Sequence, residues 1–231
     1  MSRRSLAYEG RVDFLRRVPY RLVLDGEADL DGPMPLLVAL HGKGDRADRF
    51  EEEARESLPP GWALLLPSGP IPRDRHAAVG GASIGDSWYL YDGDTPAFRA
   101  SLDTAEIHLL RVLKRIRRHG DFRPAALLGF SQGAYLAGVA GVRNPSRFRA
   151  VVQVAGRLKT EMLGPLLPAA RGVRFLGLHG ERDASVKPGP SAESLAAARA
   201  AGLDAEFRTF DAGHEFTPEM RRAAREWLAA L

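Results

Sequence analysis

Three side chains could do chemistry together in this sequence: a serine hydroxyl, a carboxylate and an imidazole, in that chain order. Ser131 sits in GFSQG (129–133), between two glycines and at the end of the apolar run AALLGF (125–130). It could mark a plain turn, a phosphate-cradling glycine loop, or a tight strand-to-helix corner that lifts one hydroxyl clear of the backbone. The phosphate loop fails. There is no G-x-x-x-x-G-K-[ST], and the glycines lack dinucleotide-fingerprint spacing. G-x-S-x-G alone is weak, but a strand-like run precedes it and a small-residue helix follows, which is the context a nucleophile corner needs. A plain turn does not explain why partners follow in the right order.

A serine hydroxyl is a poor nucleophile unless a base takes its proton and an anion orients that base. Asp183, in LHGERDASV, lies 52 residues after Ser131, just past an apolar run. His214, in DAGHEF, lies 31 residues further on, after the next run. The order Ser, acid, His fits a nucleophile corner on an α/β sheet. Asp204 and Asp211 compete as the acid, but Asp211 is so near His214 that it reads as a turn cap. Among the other histidines, His179 reads as packed on a strand and His41 as bracing a loop. His76, His108 and His119 have no acid at a useful place. The oxyanion of an acyl transition state needs fixed N–H donors, each worth about 3 kcal/mol. Backbone N–H groups of Gln132, next after the serine, and of Lys43, after LVALHG, are the candidates. The Lys43 ammonium is either solvated or a site for anionic substrates.

These groups must be held by alternating elements. Strands are expected at 20–24, 35–42, 62–70, 125–130, 150–156, 174–180 and 205–211. Helices are expected at 47–58, 101–119 (capped by Ser101), 132–141, 191–201 and 217–230. The alternation predicts an α/β fold with a mostly parallel central sheet and helices on both faces, as one domain over 1–231. Ligands of such sheets bind beyond the strands' carboxyl ends, where His41, Ser131, His179 and His214 fall. Residues 68–100, rich in Gly, Pro and Asp, read as a long functional loop. Its DGD (92–94) fits a turn better than a calcium site. The 17 residues at 156–172 are too few for a lid domain. An open site results, shaped by 68–100, by 157–168 with Met162 and Leu163, and by Phe216.

Composition excludes several classes. With no cysteine, thiol chemistry and Cys-bound zinc are ruled out. The net charge of +4 is small and its 29 arginines are scattered, so nucleic acid is not an expected partner. The densest basic run, KRIRRHG (114–120), reads as a helix end whose cations suit the dipole. MSRRSLAYEG has the arginine pair of an export signal, but charged residues follow where an apolar core should be. No apolar run approaches the ~20 residues of a membrane span. A cytoplasmic monomer or homodimer is expected.

Four blocks, LHGKGD (40–45), GFSQGA (129–134), HGERDASV (179–186) and GHEFTPEM (213–220), resemble those of the phospholipase/carboxylesterase family of α/β-hydrolases. That family includes acyl-protein thioesterases and small bacterial carboxylesterases. The resemblance covers about 35–231. It implies an α/β-hydrolase fold, the triad Ser131, Asp183 and His214, and oxyanion N–H groups from Lys43 and Gln132. It also implies an aromatic wall from Trp88 of SWYLYD. The reading is a serine carboxylesterase acting on a small-molecule ester through an acyl-enzyme, with no metal or organic cofactor required. The rivals are the same triad on a thioester, lysophospholipid, peptide or polymer ester, and a catalytically silent fold used for binding.

Overall fold

LLVAL is apolar at every position because it is covered on both sides. In the computed structural model, which describes residues 16–24, 32–76 and 82–231, this run forms a fully buried strand. Leu36, Val38 and Leu40 enter one core and Leu37 and Ala39 the other. A period of two sends neighbours to opposite faces, so both faces must be packed. The arginine-pair head at 1–10 lies outside the described residues.

The main sheet uses β1 (Tyr20–Val23), β2 (Leu36–Leu40), β3 (Ala63–Pro67), β6 (Ala125–Phe130), β7 (Phe148–Val154), β8 (Arg174–Gly180) and β9 (Ala205–Phe210). Their order is β1-β3-β2-β6-β7-β8-β9. Only β1 is antiparallel to its neighbour; the other five pairings are parallel. Helices α2 (Pro96–Ile116), α3 (Gln132–Arg143) and α5 (Pro188–Ala200) cover one face. Helices α1 (Glu51–Glu56) and α6 (Pro218–Ala229) cover the other. This is the α/β-hydrolase type of sheet. No lid domain interrupts 157–173, which holds the short α4 (Thr160–Leu163) and a 3-10 turn, Gly164–Ala170. No helix among the described residues is long and apolar enough to cross a membrane.

Three expectations are corrected. Within 68–100 lies a hairpin, β4 (Ile71–His76) paired antiparallel with β5 (Ala82–Ser87). It stands apart from the main sheet, so its sequence does not carry the apolar pattern of a core strand. The long helix begins at Pro96, not Ser101. Proline at the first helical position loses no needed N–H. The cap is Thr95, whose Oγ1 accepts the Phe98 N–H at 3.1 Å, while Ser101 sits inside the helix and donates to the Phe98 carbonyl. The neighbouring DGD is an exposed turn: Asp92 accepts the Thr95 hydroxyl and Asp94 pairs with Arg99. The helix 47–58 shortens to α1, preceded by turns.

Helix α3 positions the site, and it lies unusually close to the sheet. A Cβ on Gly138 would stand 2.6 Å from Gln153 Nε2, and one on Gly141 would stand 2.4 Å from Val151 Cγ2. Its far end is fixed by the buried Glu106 of α2, which accepts from Arg143 and Asn144 at 2.7 and 2.6 Å. Replacing the cap, Thr95→Ala, is expected to lower unfolding stability by about 1 kcal/mol through loss of the N-terminal bond. A urea midpoint unchanged at constant slope would place the cap elsewhere.

Candidate active site

The corner between β6 and α3 holds Ser131 with φ 50° and ψ −115°. A non-glycine residue there carries about 1–3 kcal/mol of strain, which the surroundings must over-determine. Two glycines impose it. A Cβ on Gly129 would lie 2.3 Å from the Gly133 carbonyl oxygen, and one on Gly133 would lie 2.1 Å from that of Leu40. The helix must therefore start at once, against the end of β2. The Ser131 N–H donates to the Val154 carbonyl at 2.9 Å, tying the corner to β7. At the end of β7 Ala155 also has positive φ, 49°.

Two other strand ends bring the partners. His214, past β9, has Nε2 3.0 Å from Ser131 Oγ and Nδ1 2.8 Å from Asp183 Oδ2. The tautomer that satisfies both carries its proton on Nδ1. Nδ1–H then donates to the carboxylate and Nε2 accepts from the hydroxyl. Asp183, past β8, is buried, and its Oδ1 accepts the N–H groups of Ser185 and Val186 at 2.9 Å each. Phe130 packs its ring 5.1 Å from the His214 ring. A chain of this kind can move one proton from a hydroxyl onto an imidazole and hold the imidazolium against an anion.

The competing residues are placed elsewhere. Asp204 pairs with Arg174 and Asp211 with Arg182, both on the surface. His179 is buried; its Nε2–H donates to the Val186 carbonyl at 2.7 Å and lies 3.4 Å from Asp183. His108 contacts the Ser68 carbonyl. His119 lies beside Arg118 in the basic run after α2, and His76 ends β4.

Gln132 is the first residue of α3, so its N–H has no acceptor within the helix. Lys43 lies in the turn after β2, and its N–H finds no backbone acceptor among the described residues. Both residues line the same cavity as Ser131 and His214. The Gln132 side chain has a separate task. Its Oε1 accepts the Trp88 N–H and its Nε2 donates to the Tyr89 carbonyl, at 2.9 and 2.8 Å.

A sequence model of the family described as phospholipase/carboxylesterase matches residues 28–231. The chain belongs to that family. A sequence comparison with curated proteins gives no match. Solved structures are similar in fold at low identity. A carboxylesterase from Mesorhizobium loti is 23% identical, with TM-score 0.75, over 93% of this chain and 95% of that one. Acyl-protein thioesterase 2 from Zea mays is 21% identical, with TM-score 0.73, over 92% and 98%. The Bacillus cereus carboxylesterase is 15% identical, with TM-score 0.71, over 92% and 94%.

Within this member of the phospholipase/carboxylesterase family, the cavity has a volume of about 460 Å³. Its wall is not the expected one. Trp88 is fully buried, with Nε1–H donating to the His41 carbonyl at 2.8 Å. Its indole supports the loop from beneath, and Tyr89 and Tyr91 face the cavity instead. Phe216 joins the core on the opposite face of the sheet, against Phe50. Met162 packs on the main core and Leu163 is buried in it, so neither lines the cavity. Tyr135, Arg157, Lys159, Ser185 and Val186 do. RLK (157–159), which sets two cations just past a parallel strand, was the available signal for two of them.

His41 braces the turn that carries Lys43. It is buried, its Nδ1–H donates to the Gly42 carbonyl at 2.8 Å, and Nε2 accepts the Gly69 N–H at 3.1 Å. Only a neutral ring can do both. Burial holds its pKa below the ordinary 6.5; the Gly42 bond and the charges of Asp45 and Asp86 offset this only in part. The unfolded chain therefore takes up a proton that the folded chain refuses. This contribution to stability is intact above the ordinary histidine value and is lost as pH falls below it. A ring-proton NMR titration of His41 should give a midpoint below 6.5. A midpoint at or above that value contradicts the assignment.

Proposed function

We propose that this chain is a serine carboxylic-ester hydrolase in which Ser131 is the nucleophile, His214 the general base and acid, and Asp183 the orienting anion. The observation that carries the reading is the pair of hydrogen bonds on His214, 2.8 Å to Asp183 and 3.0 Å to Ser131. Membership of a family of carboxylesterases and acyl-protein thioesterases supports it.

In this reading His214 Nε2 takes the Ser131 proton as Oγ attacks the ester carbonyl. The oxyanion meets the N–H groups of Gln132 and Lys43 at the positive end of α3. His214 then gives the proton to the departing alcohol, leaving an acyl-serine. Water repeats the sequence and frees the acid. Two backbone N–H groups and the Nδ1–H all donate to Asp183, which fixes its carboxylate in place to orient the ring.

A thioester passes through the same steps, and the fold likeness to a plant acyl-protein thioesterase keeps that substrate in play. Matched ester, thioester and amide substrates separate the cases by rate. The intact Ser, His and Asp count against a silent binding protein.

Ser131→Ala should lower kcat/KM on p-nitrophenyl esters by at least about a thousandfold. A fluorophosphonate should label wild type at residue 131 and leave the variant unmarked. Retained turnover in the variant, or an unlabelled wild type, sinks the proposal.

A further inference from the structure

Among the described residues, the cavity at Ser131 is lined by three cations, Lys43, Arg157 and Lys159, and by no carboxylate. Glu161 pairs with two of them, Arg157 and Lys159, and it is over-subscribed, while Asp94, whose charge also acts on Lys159, is held by Arg99. Arg157 holds both Glu161 oxygens, at 3.0 and 2.6 Å. The Lys159 ammonium reaches one of those same oxygens at 3.4 Å. Lys43 is exposed and has no ion pair among the described residues.

Lys159 is the unusual member. Its side chain is only 8% exposed. Its Nζ lies 5.0 Å from the Phe98 ring centre and 5.2 Å from that of Tyr91. An ammonium so covered has given up most of its water, and ring faces with a shared carboxylate return only part of what was lost. An anion entering the cavity would complete its pairing. A purely apolar acyl chain would lie against it and complete nothing. The tyrosines Tyr89, Tyr91 and Tyr135 add hydroxyl-bearing rings to the lining, which suits a small amphipathic molecule better than a long alkyl chain.

Resting on the ester-hydrolase reading above, we propose that the preferred substrate is an ester that carries a negatively charged oxyanion group. Lys159 selects that group, with Lys43 and Arg157 extending the positive field. The group sits on the acyl part or on the alcohol part, and the test has an arm for each.

For the acyl side, p-nitrophenyl hydrogen adipate is compared with p-nitrophenyl 6-methylheptanoate, in which an isopropyl group replaces the carboxylate. For the leaving side, 4-carboxyphenyl acetate is compared with 4-carbamoylphenyl acetate. Ser131→Ala supplies the background. Wild type should prefer the anion by about tenfold or more in kcat/KM in one arm, as a charged hydrogen bond allows. Lys159→Met should bring that ratio to near one and Lys159→Arg should restore most of it. The ratio compares two substrates on one preparation, so partial misfolding of a variant cancels. Neutral esters turned over as well as anionic ones in both arms would overturn this inference and leave the hydrolase reading standing. A preference unchanged in Lys159→Met would overturn the role of Lys159. No turnover of any of the four esters above background would overturn the hydrolase reading itself.

Discussion

The structure depends on how closely α3 approaches the ends of β2 and β6. There is no room for a side chain at Gly129 or Gly133, where any Cβ would meet backbone at 2.3 or 2.1 Å. That compression turns the chain within one residue and holds Ser131 in the left-handed region. The same closeness puts the first N–H of α3 beside the turn that leaves β2. The raised Ser131 hydroxyl and the Gln132 N–H left without a helix acceptor are thus one geometric consequence of two missing side chains. The strain is held by packing, since α3 is buried along almost its whole length.

Gln132 links this corner to the substrate side. Its backbone opens α3 beside Ser131, while its side-chain amide clasps the backbone of Trp88 and Tyr89. The loop bearing the tyrosines is therefore docked on the residue next to Ser131. Trp88 lies below, donating to the carbonyl of His41, which in turn braces the Lys43 turn. The cavity wall and the Lys43 turn share one buried framework.

The parallel strands were legible because doubly covered strands must be continuous apolar runs, and the meeting of Ser131, Asp183 and His214 because polar residues just past the ends of neighbouring parallel strands converge. The cavity wall was not. Which ring of SWYLYD faces inward is set by Gln132, 44 residues away along the chain from Trp88, and no local period encodes it. Phe216, only two residues past His214, drops to the other face of the sheet to meet α1 and α6. The hairpin β4–β5 escaped because a ribbon outside the main sheet does not need apolar alternation. Pro96 reads as a breaker until its place at the first turn of α2 is seen.

The order of strands divides the cluster of Ser131, Asp183 and His214 between two parts of the sheet. Asp183 and His214 ride on the adjacent edge pair β8 and β9, whose loops are laced together by the bonds Glu181 N–H to Phe210 O and Arg182 N–H to Ala212 O. Ser131 rides on β6. Between them β7 is the seam. Its end takes the Ser131 N–H on Val154 O and passes the Ala155 N–H to Leu178 O. Ala155, twisted to positive φ, is thus the hinge pin on which the two halves are aligned. A shift there would spare each half internally and open only the gap between imidazole and hydroxyl.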